Sequence, residues 1–207
     1  MKYKKGRPPA GFEMLRGRVI TGNKIKLREK KLSDAHNDYM WQSDPEIANL
    51  DAAPLLSVSF PVYLLDYADQ LHDSSSKRCL FAVETFDGKH IGNCICYDVN
   101  NARGEAQLGI IIGDRNYWDK GYGTDAVRTM ASHIFLNTNL QRIYLRTLDW
   151  NLRAQKCFQN CGFMPRGQLH RNGHSFVVME LRREQWQKQQ NGGEVHKGGL
   201  STDRMAR

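Results

Sequence analysis

Residues 106–127, AQLGIIIGDRNYWDKGYGTDAV, constrain the fold more than any other stretch of this 207-residue chain. An apolar, β-branched run stops at Gly113, a polar turn follows, and a helix starts where Gly121 and Gly123 flank Tyr122. Beyond the glycines, Ala126, Val127, Met130, Ala131, Ile134 and Phe135 recur at helical spacing and define one buried face. A strand that feeds such a helix requires a sheet with a helix packed on it, an α/β arrangement. Glycine lets backbone approach a ligand closely, and a helix start offers unpaired N–H groups with partial positive charge. Together they make a seat for a pyrophosphate. A plain tight turn would use the same residues, so the segment alone leaves both readings open. Two rival phosphate motifs are absent from it: there is no Gly-Lys-Ser/Thr run, and no third glycine of a dinucleotide fingerprint.

The flanking sequence supplies the other elements. Lys24 to Arg28 alternates with period two and predicts a half-buried strand, and Ser33-Asp34 caps a helix running through Trp41. Asp44-Pro45-Glu46 starts a short helix or turn, and 58–71 reads as an amphipathic helix. Cys79 to Glu84 and His90 to Asp98 form a hairpin about Asp87-Gly88, and 106–112 is a further strand. After the central helix come a strand over Arg142–Leu148, a helix over Asn151–Cys161, and a closing hairpin turning near Asn172-Gly173. The order β-α-α-β-β-β-α-β-α-β-β predicts an α/β domain of the α+β type, with a mixed, largely antiparallel sheet.

Charge sorts the chain into three parts. The net +8 lies in the ends: residues 1–18 carry +5, residues 182–207 carry +3, and 19–181 balance to zero. A nucleic-acid-binding domain carries its positive charge on a folded face, so nucleic acid is not the expected partner, although basic tails can draw a protein loosely to acidic surfaces. Residues 1–18, with Gly6, Pro8, Pro9 and Gly11, read as a basic arm; 19–187 as the folded domain; 188–207 as a disordered tail. No apolar run is long enough for a membrane span, and the basic start lacks the apolar core of a secretory signal. Five cysteines, with no CxxC pair, fit free thiols in a reducing cytoplasm better than a disulfide framework or a metal site.

Two segments carry a family resemblance. The turn ending in Gly121-Tyr122-Gly123-Thr124 resembles the Q/R-x-x-G-x-G/A acetyl-CoA motif of the GCN5-related (GNAT) acetyltransferases, with Trp118 in the leading position. NLRAQKCFQNCGF, residues 151–163, is similar to that family's N-x-x-A-x-x-x-F/Y-x-x-x-G-F signature. The two occur in the family's order, the resemblance covers about 24–181, and it is nearest to the ribosomal-protein and polyamine acetyltransferase branch. It implies a sheet splayed near its centre and acetyl-CoA as the acyl donor, with no metal. It implies that backbone amides of Asp119, Lys120, Gly121, Tyr122, Gly123 and Thr124 hold the pyrophosphate, with Trp118 also among the coenzyme-binding residues. Ile110, Ile111 and Ile112 would pair with the pantetheine arm, and Asn151, Ala154 and Phe158 would flank it. Trp41 and Asp44 fall in the branch's early substrate-side segment. On residues alone, Asn151 is also a good helix N-cap, and the isoleucine run a good core strand.

The implied reaction is attack of a primary amine on the thioester, the acceptor being a protein N-terminus, a polyamine or another small amine. Two positions depart from the family. Gln107 stands where relatives carry a base glutamate; it cannot take a proton but can orient a water or the amine. Glu105, two residues earlier with the same strand parity, is a second candidate acting through water, unless it is only an exposed strand end. Phe158 replaces the tyrosine acid of many relatives. A thiol of pKa about 8.5 leaves acceptably unaided, whereas a lysine-like amine near about 10.4 needs a base. The expectation is therefore an acceptor of low pKa. A catalytically weak CoA-binding module that recognises a protein or RNA partner, and an acyl donor longer than acetyl, stay open as alternatives. Dimers are common in the branch, so a homodimer is also an open expectation.

Overall fold

The computed structural model describes residues 19–72 and 78–194. The arm expected over 1–18 and the end of the tail lie outside the described residues. Among the described residues, eight strands form one sheet: β1 (Ile20–Thr21), β2 (Ile25–Glu29), β3 (Cys79–Thr85), β4 (His90–Asn100), β5 (Glu105–Ile112), β6 (Arg142–Leu148), β7 (Met164–Arg171) and β8 (His174–Arg182). Six helices accompany them: α1 (Ala35–Gln42), α2 (Pro45–Leu50), α3 (Phe60–His72), α4 (Tyr122–Asn137), α5 (Leu152–Asn160) and α6 (Arg183–Glu194). The sheet order is β1-β2-β3-β4-β5-β6-β8-β7, antiparallel throughout except for β5 beside β6. That parallel pair needs a crossover, and α4 is the crossover.

The face of α4 predicted from periodicity is the buried one: Ala126, Val127, Met130, Ala131, Ile134 and Phe135 are each at most 1% exposed. They pack on Ile25, Leu27, Leu108, Ile143 and Leu145 of the strands beneath. The first turn of α4 is also tied to the sheet edge, because the Asp125 carboxylate accepts from the amides of Asn23 and Lys24. Gly22 is required there, since a β-carbon would lie 2.5 Å from Asp125 Oδ2.

A buried polar cluster fixes α1 against β2 and β4. Arg28 forks onto Asp34 at 2.7 and 2.8 Å and also meets Glu84. Lys30 pairs with Asp38 at 2.6 Å, and Tyr67 from α3 donates to the same carboxylate at 2.9 Å. Buried charges survive because each is paired. Burial lowers the Lys30 and His90 pKa values from their ordinary ones.

Two elements differ from the expected order. The two-residue β1 adds an edge, and α6 continues the fold past the boundary expected at 187. Trp186 on α6 packs 5.4 Å from the Phe135 ring and donates to Ser132, so the helix covers the outer side of α4. Arg183 donates to the carbonyls of Phe135, Thr138 and Leu140, closing the C-terminal end of α4.

Candidate active site

The site arises where the sheet stops being continuous. β5 pairs with β6 only over Glu105, Ala106 and Gln107, opposite Arg142, Ile143 and Tyr144. Beyond Gln107 the strands part, while β5 stays paired to β4 as far as Ile112. The outward backbone groups of 108–112 therefore face a cleft instead of a strand, and a buried strand edge needs partners for them. The cleft opens into a cavity of about 670 Å³ lined by Ile110, Ile111 and Ile112 on one side and by α5 on another.

The far end of this cavity is the α4 N-terminus. Gly121 is its N-cap, with φ of 82°, a left-handed backbone that side-chain-bearing residues adopt at a cost. Asp119 also has positive φ, at 56°. These two turns bend residues 118–121 around the helix start, so that Trp118, Asp119, Gly121, Gly123 and Thr124 all line the cavity. A Cβ on Gly123 would lie in ordinary contact, 3.5 Å from Ile112 and 3.6 Å from the Cys157 sulfur, so this position sits on the wall between β5 and α5. The Trp118 indole donates to the Ile112 carbonyl, and the Arg153 guanidinium lies 3.6 Å from its ring centroid. Lys120 turns away and donates to the Asn116 carbonyl at 2.8 Å; Tyr122 packs edge-on to Tyr117.

The α5 wall begins at Asn151, which caps its helix by accepting from the Ala154 amide at 3.1 Å. Asn151, Ala154 and Phe158 line the cavity together, as do Arg153 and Lys156, two cations suited to a phosphorylated ligand. Cys157 faces the same space. Its hydrogen bond with Cys161, with help from Thr124 Oγ1 at 3.4 Å, brings its thiol down to about 7, while Cys161 is pushed up.

A second cavity, of about 370 Å³, continues from the first. Leu50, Asp51, Ile110, Asn151, Ala154 and Phe158 line both and form the boundary between them. Gln107 lines the second cavity; its Nε2 donates to the Tyr97 hydroxyl at 2.5 Å, and its buried Oε1 has no partner. Asp51 follows α2 as its C-cap residue, and the next residue, Ala52, has φ of 51°. Asp51 keeps exposed surface, yet protein crowds it from most sides, and that desolvation pushes its carboxyl up to about 6.

The residues picked from sequence divide accordingly. Ile110, Ile111, Ile112, Trp118, Asp119, Gly121, Gly123, Thr124, Asn151, Ala154 and Phe158 converge on one cavity, and Gln107 on its neighbour. Glu105 lines neither; it pairs with Arg142 at 2.6 Å. Asp44 also lies outside both, capping α2 and clasping Arg115 with Glu46, which ties α2 to the turn after β5. Trp41 lies over Gly113, at the end of β5. Asp51, Leu50, Arg153 and Lys156 line the site without having been picked. The spacing of Arg153 and Lys156, three apart beside Asn151, was a usable signal; Asp51 carried none.

Known proteins resemble this chain in the same way. Residues 24–164 match the family model described as an acetyltransferase (GNAT) domain. An uncharacterized N-acetyltransferase, p20 of Bacillus licheniformis, is 27% identical over 148 residues, 70% of this chain and 82% of that protein. A spermine/spermidine N(1)-acetyltransferase of Bacillus subtilis is 32% identical over 85 residues, 41% of this chain and only 56% of that protein. The crystal structure of spermidine N-acetyltransferase from Vibrio cholerae, in complex with CoA and spermine, superposes with a TM-score of 0.69 at 22% identity. That likeness covers 79% of this chain and 98% of that one.

Proposed function

Since the chain belongs to the GNAT acetyltransferase family, we propose that it transfers an acetyl group from acetyl-CoA to a small primary amine by direct attack of the nitrogen on the thioester. One observation carries this: the unpaired length of β5 runs straight to a glycine-bent helix start, inside one continuous cavity. The residues present fit the coenzyme. The 118–124 turn and α4 N-terminus suit a pyrophosphate, Arg153 and Lys156 add positive charge, and the open edge of 108–112 suits an amide-bearing arm. An arm laid along β5 would bring the thioester to the boundary with the second cavity, where an amine can enter. The Gln107 Oε1, buried and unpartnered, suits an acceptor N–H. The polyamines named for two relatives establish the reaction type for those proteins; the acceptor here is argued from the cavity. Five free thiols support residence in the cytoplasm.

The test is calorimetric titration with coenzyme A, followed by acetyl-CoA turnover on a panel of amines, read as thiol release. Binding with turnover is expected. Binding without turnover on any amine would favour a coenzyme-binding module, and no binding would refute the reading.

A further inference from the structure

The second cavity distributes its charge unevenly. Asp51 sits on the boundary shared with the coenzyme cavity, whereas Arg146 of β6 and Arg171 at the end of β7 line only the second cavity. Neighbouring arginines of this sheet are neutralised: Arg142, Arg166 and Arg182 converge on the buried Glu180, and Arg28 on Asp34. Arg146 and Arg171 make no ion pair among the described residues, Arg146 lying only 5.9 Å from the Tyr144 ring centroid. Among the described residues the Asp51 carboxylate likewise makes no hydrogen bond or ion pair, and no other acid lines this cavity. A pocket with one carboxylate at the reacting end and two unpaired guanidiniums beyond it repels a long polycation. It matches a ligand of the opposite polarity.

We infer that the acceptor is a primary amine carrying a negatively charged group of its own, a carboxylate or a phosphate, with its nitrogen at Asp51 and its anion against Arg146 and Arg171. This rests on the acetyl-transfer reading above and names the substrate class of that same site. The nitrogen must stand at the cavity boundary, because only there can it meet a thioester delivered along β5. Asp51 is the carboxylate at that boundary. As the C–N bond forms, the carbonyl pair moves to oxygen, then returns and expels sulfur as thiolate. The proton shed by nitrogen passes to the Asp51 carboxylate and on to solvent, and the thiolate takes one from solvent. A carboxyl titrating at about 6 is ionised at neutral pH yet basic enough to serve. The other titratable groups around it are Tyr97, Arg146 and Arg171 on the acceptor side. On the coenzyme side they are Tyr117, Asp119, Arg153, Lys156 and Cys157.

The experiment compares alanyl-glutamate, O-phosphoethanolamine, butylamine and spermidine as acceptors for the full-length protein. At least one anionic amine should exceed both butylamine and spermidine in kcat/KM by about tenfold or more, and the better of the two identifies carboxylate or phosphate. Arg146→Ala and Arg171→Ala should each lower the preference for that probe over butylamine by roughly tenfold. Asp51→Asn should lower kcat by about 10²-fold or more, with Asp51→Glu recovering part of the loss. Melting of the coenzyme-free protein gives an independent readout. A raised carboxyl pKa makes the folded state bind more protons than the unfolded chain, so the Asp51 contribution to stability falls as pH rises from about 4 to 6, and Asp51→Asn should gain stability relative to wild type across that window. Spermidine or butylamine outrunning both anionic probes, arginine variants with unchanged preference, or Asp51→Asn with wild-type kcat each overturn the inference while leaving acetyl transfer standing. Transfer to no amine at all would sink both.

Discussion

The end of β5 is shaped by a contact that a single methyl group should break. The Trp41 indole lies over the α-carbon of Gly113, and a β-carbon built there would sit 2.0 Å from Cδ2, 2.3 Å from Cε2 and 2.4 Å from Cγ. Ordinary carbon contacts are about 3.5–4.0 Å, so the ring must retreat by roughly 1.5 Å or the strand must move. Retreat is obstructed on one side, where the His90 ring centroid lies 4.8 Å from the indole and His90 is held by Lys30, Asn93 and the Gly92 carbonyl. Overpacking of this kind costs about 1–3 kcal/mol. At about 2–4 °C per kcal/mol for a chain of this size, Gly113→Ala should melt roughly 2–12 °C lower. Trp41→Leu removes the obstructing ring, so adding Gly113→Ala to that variant should cost little. The coupling between the two sites should then approach the whole cost of the glycine change. Thermal melts of the four proteins measure this directly, and calorimetry with coenzyme A reports whether the following turn has shifted. A Gly113→Ala protein melting within about 1 °C of wild type, or an equal loss on the Trp41→Leu background, would refute the reasoning. The same set tests Trp41 as an acceptor-binding residue, which predicts a raised amine KM in Trp41→Leu at unchanged melting temperature.

Three further outcomes follow from the geometry. Gly121→Ala forces a β-carbon into φ of 82°, at a cost of about 1–2 kcal/mol, and should weaken coenzyme A binding measured by calorimetry. Cys157, held at about 7 first by its hydrogen bond from Cys161, should be alkylated by iodoacetamide at a rate that climbs through neutral pH, and bound coenzyme A should protect it. Desolvation pushes the Asp34 carboxyl up, but its bonds from Arg28 and the Lys31 amide outweigh that and leave it below its ordinary value. Its stabilising contribution is then complete above about pH 4 and lost as pH falls through the lowered value, so Asp34→Asn should flatten the acid limb of a melting-temperature profile.

What could be read from the chain followed from periodic burial and from backbone special cases. The α4 face was legible because six apolar side chains at helical spacing have one way to be buried together. The hairpins at Asp87-Gly88 and Asn172-Gly173 were legible because both turns need positive φ, which Gly88, Asn172 and Gly173 supply. The lining of the first cavity was legible for a related reason: glycine at 121 and 123 and asparagine at 151 are local devices that act within a few residues of themselves. α6 was missed because Gly192 and Gly193 and a polar run hide its partners. Its anchors, Trp186 on Phe135 and Arg183 on three carbonyls, are long-range.

The acid–base group was hidden for the same reason in sharper form. Strand parity places Glu105 and Gln107 on one face, and parity was a sound basis for considering both, but it says nothing of which neighbour claims a carboxylate. Arg142 claims Glu105, from a strand 37 residues away, and converts it into part of the ladder that holds β5 to β6. Asp51 has the opposite history. It follows a six-residue helix, has no motif around it, and gains its environment because Asp44 and Glu46 grip Arg115 and draw α2 over the mouth of the cleft. Removing that grip should therefore act on the site at a distance: Arg115→Ala should change amine turnover through the placement of Asp51, although Arg115 lines neither cavity. A KM for acetyl-CoA near wild type, with a lowered kcat and a pH profile shifted toward the ordinary aspartate value, is the expected signature. A uniform rise in the KM for acetyl-CoA alone would mean that Arg115 serves only the coenzyme turn, and that α2 holds its place without it.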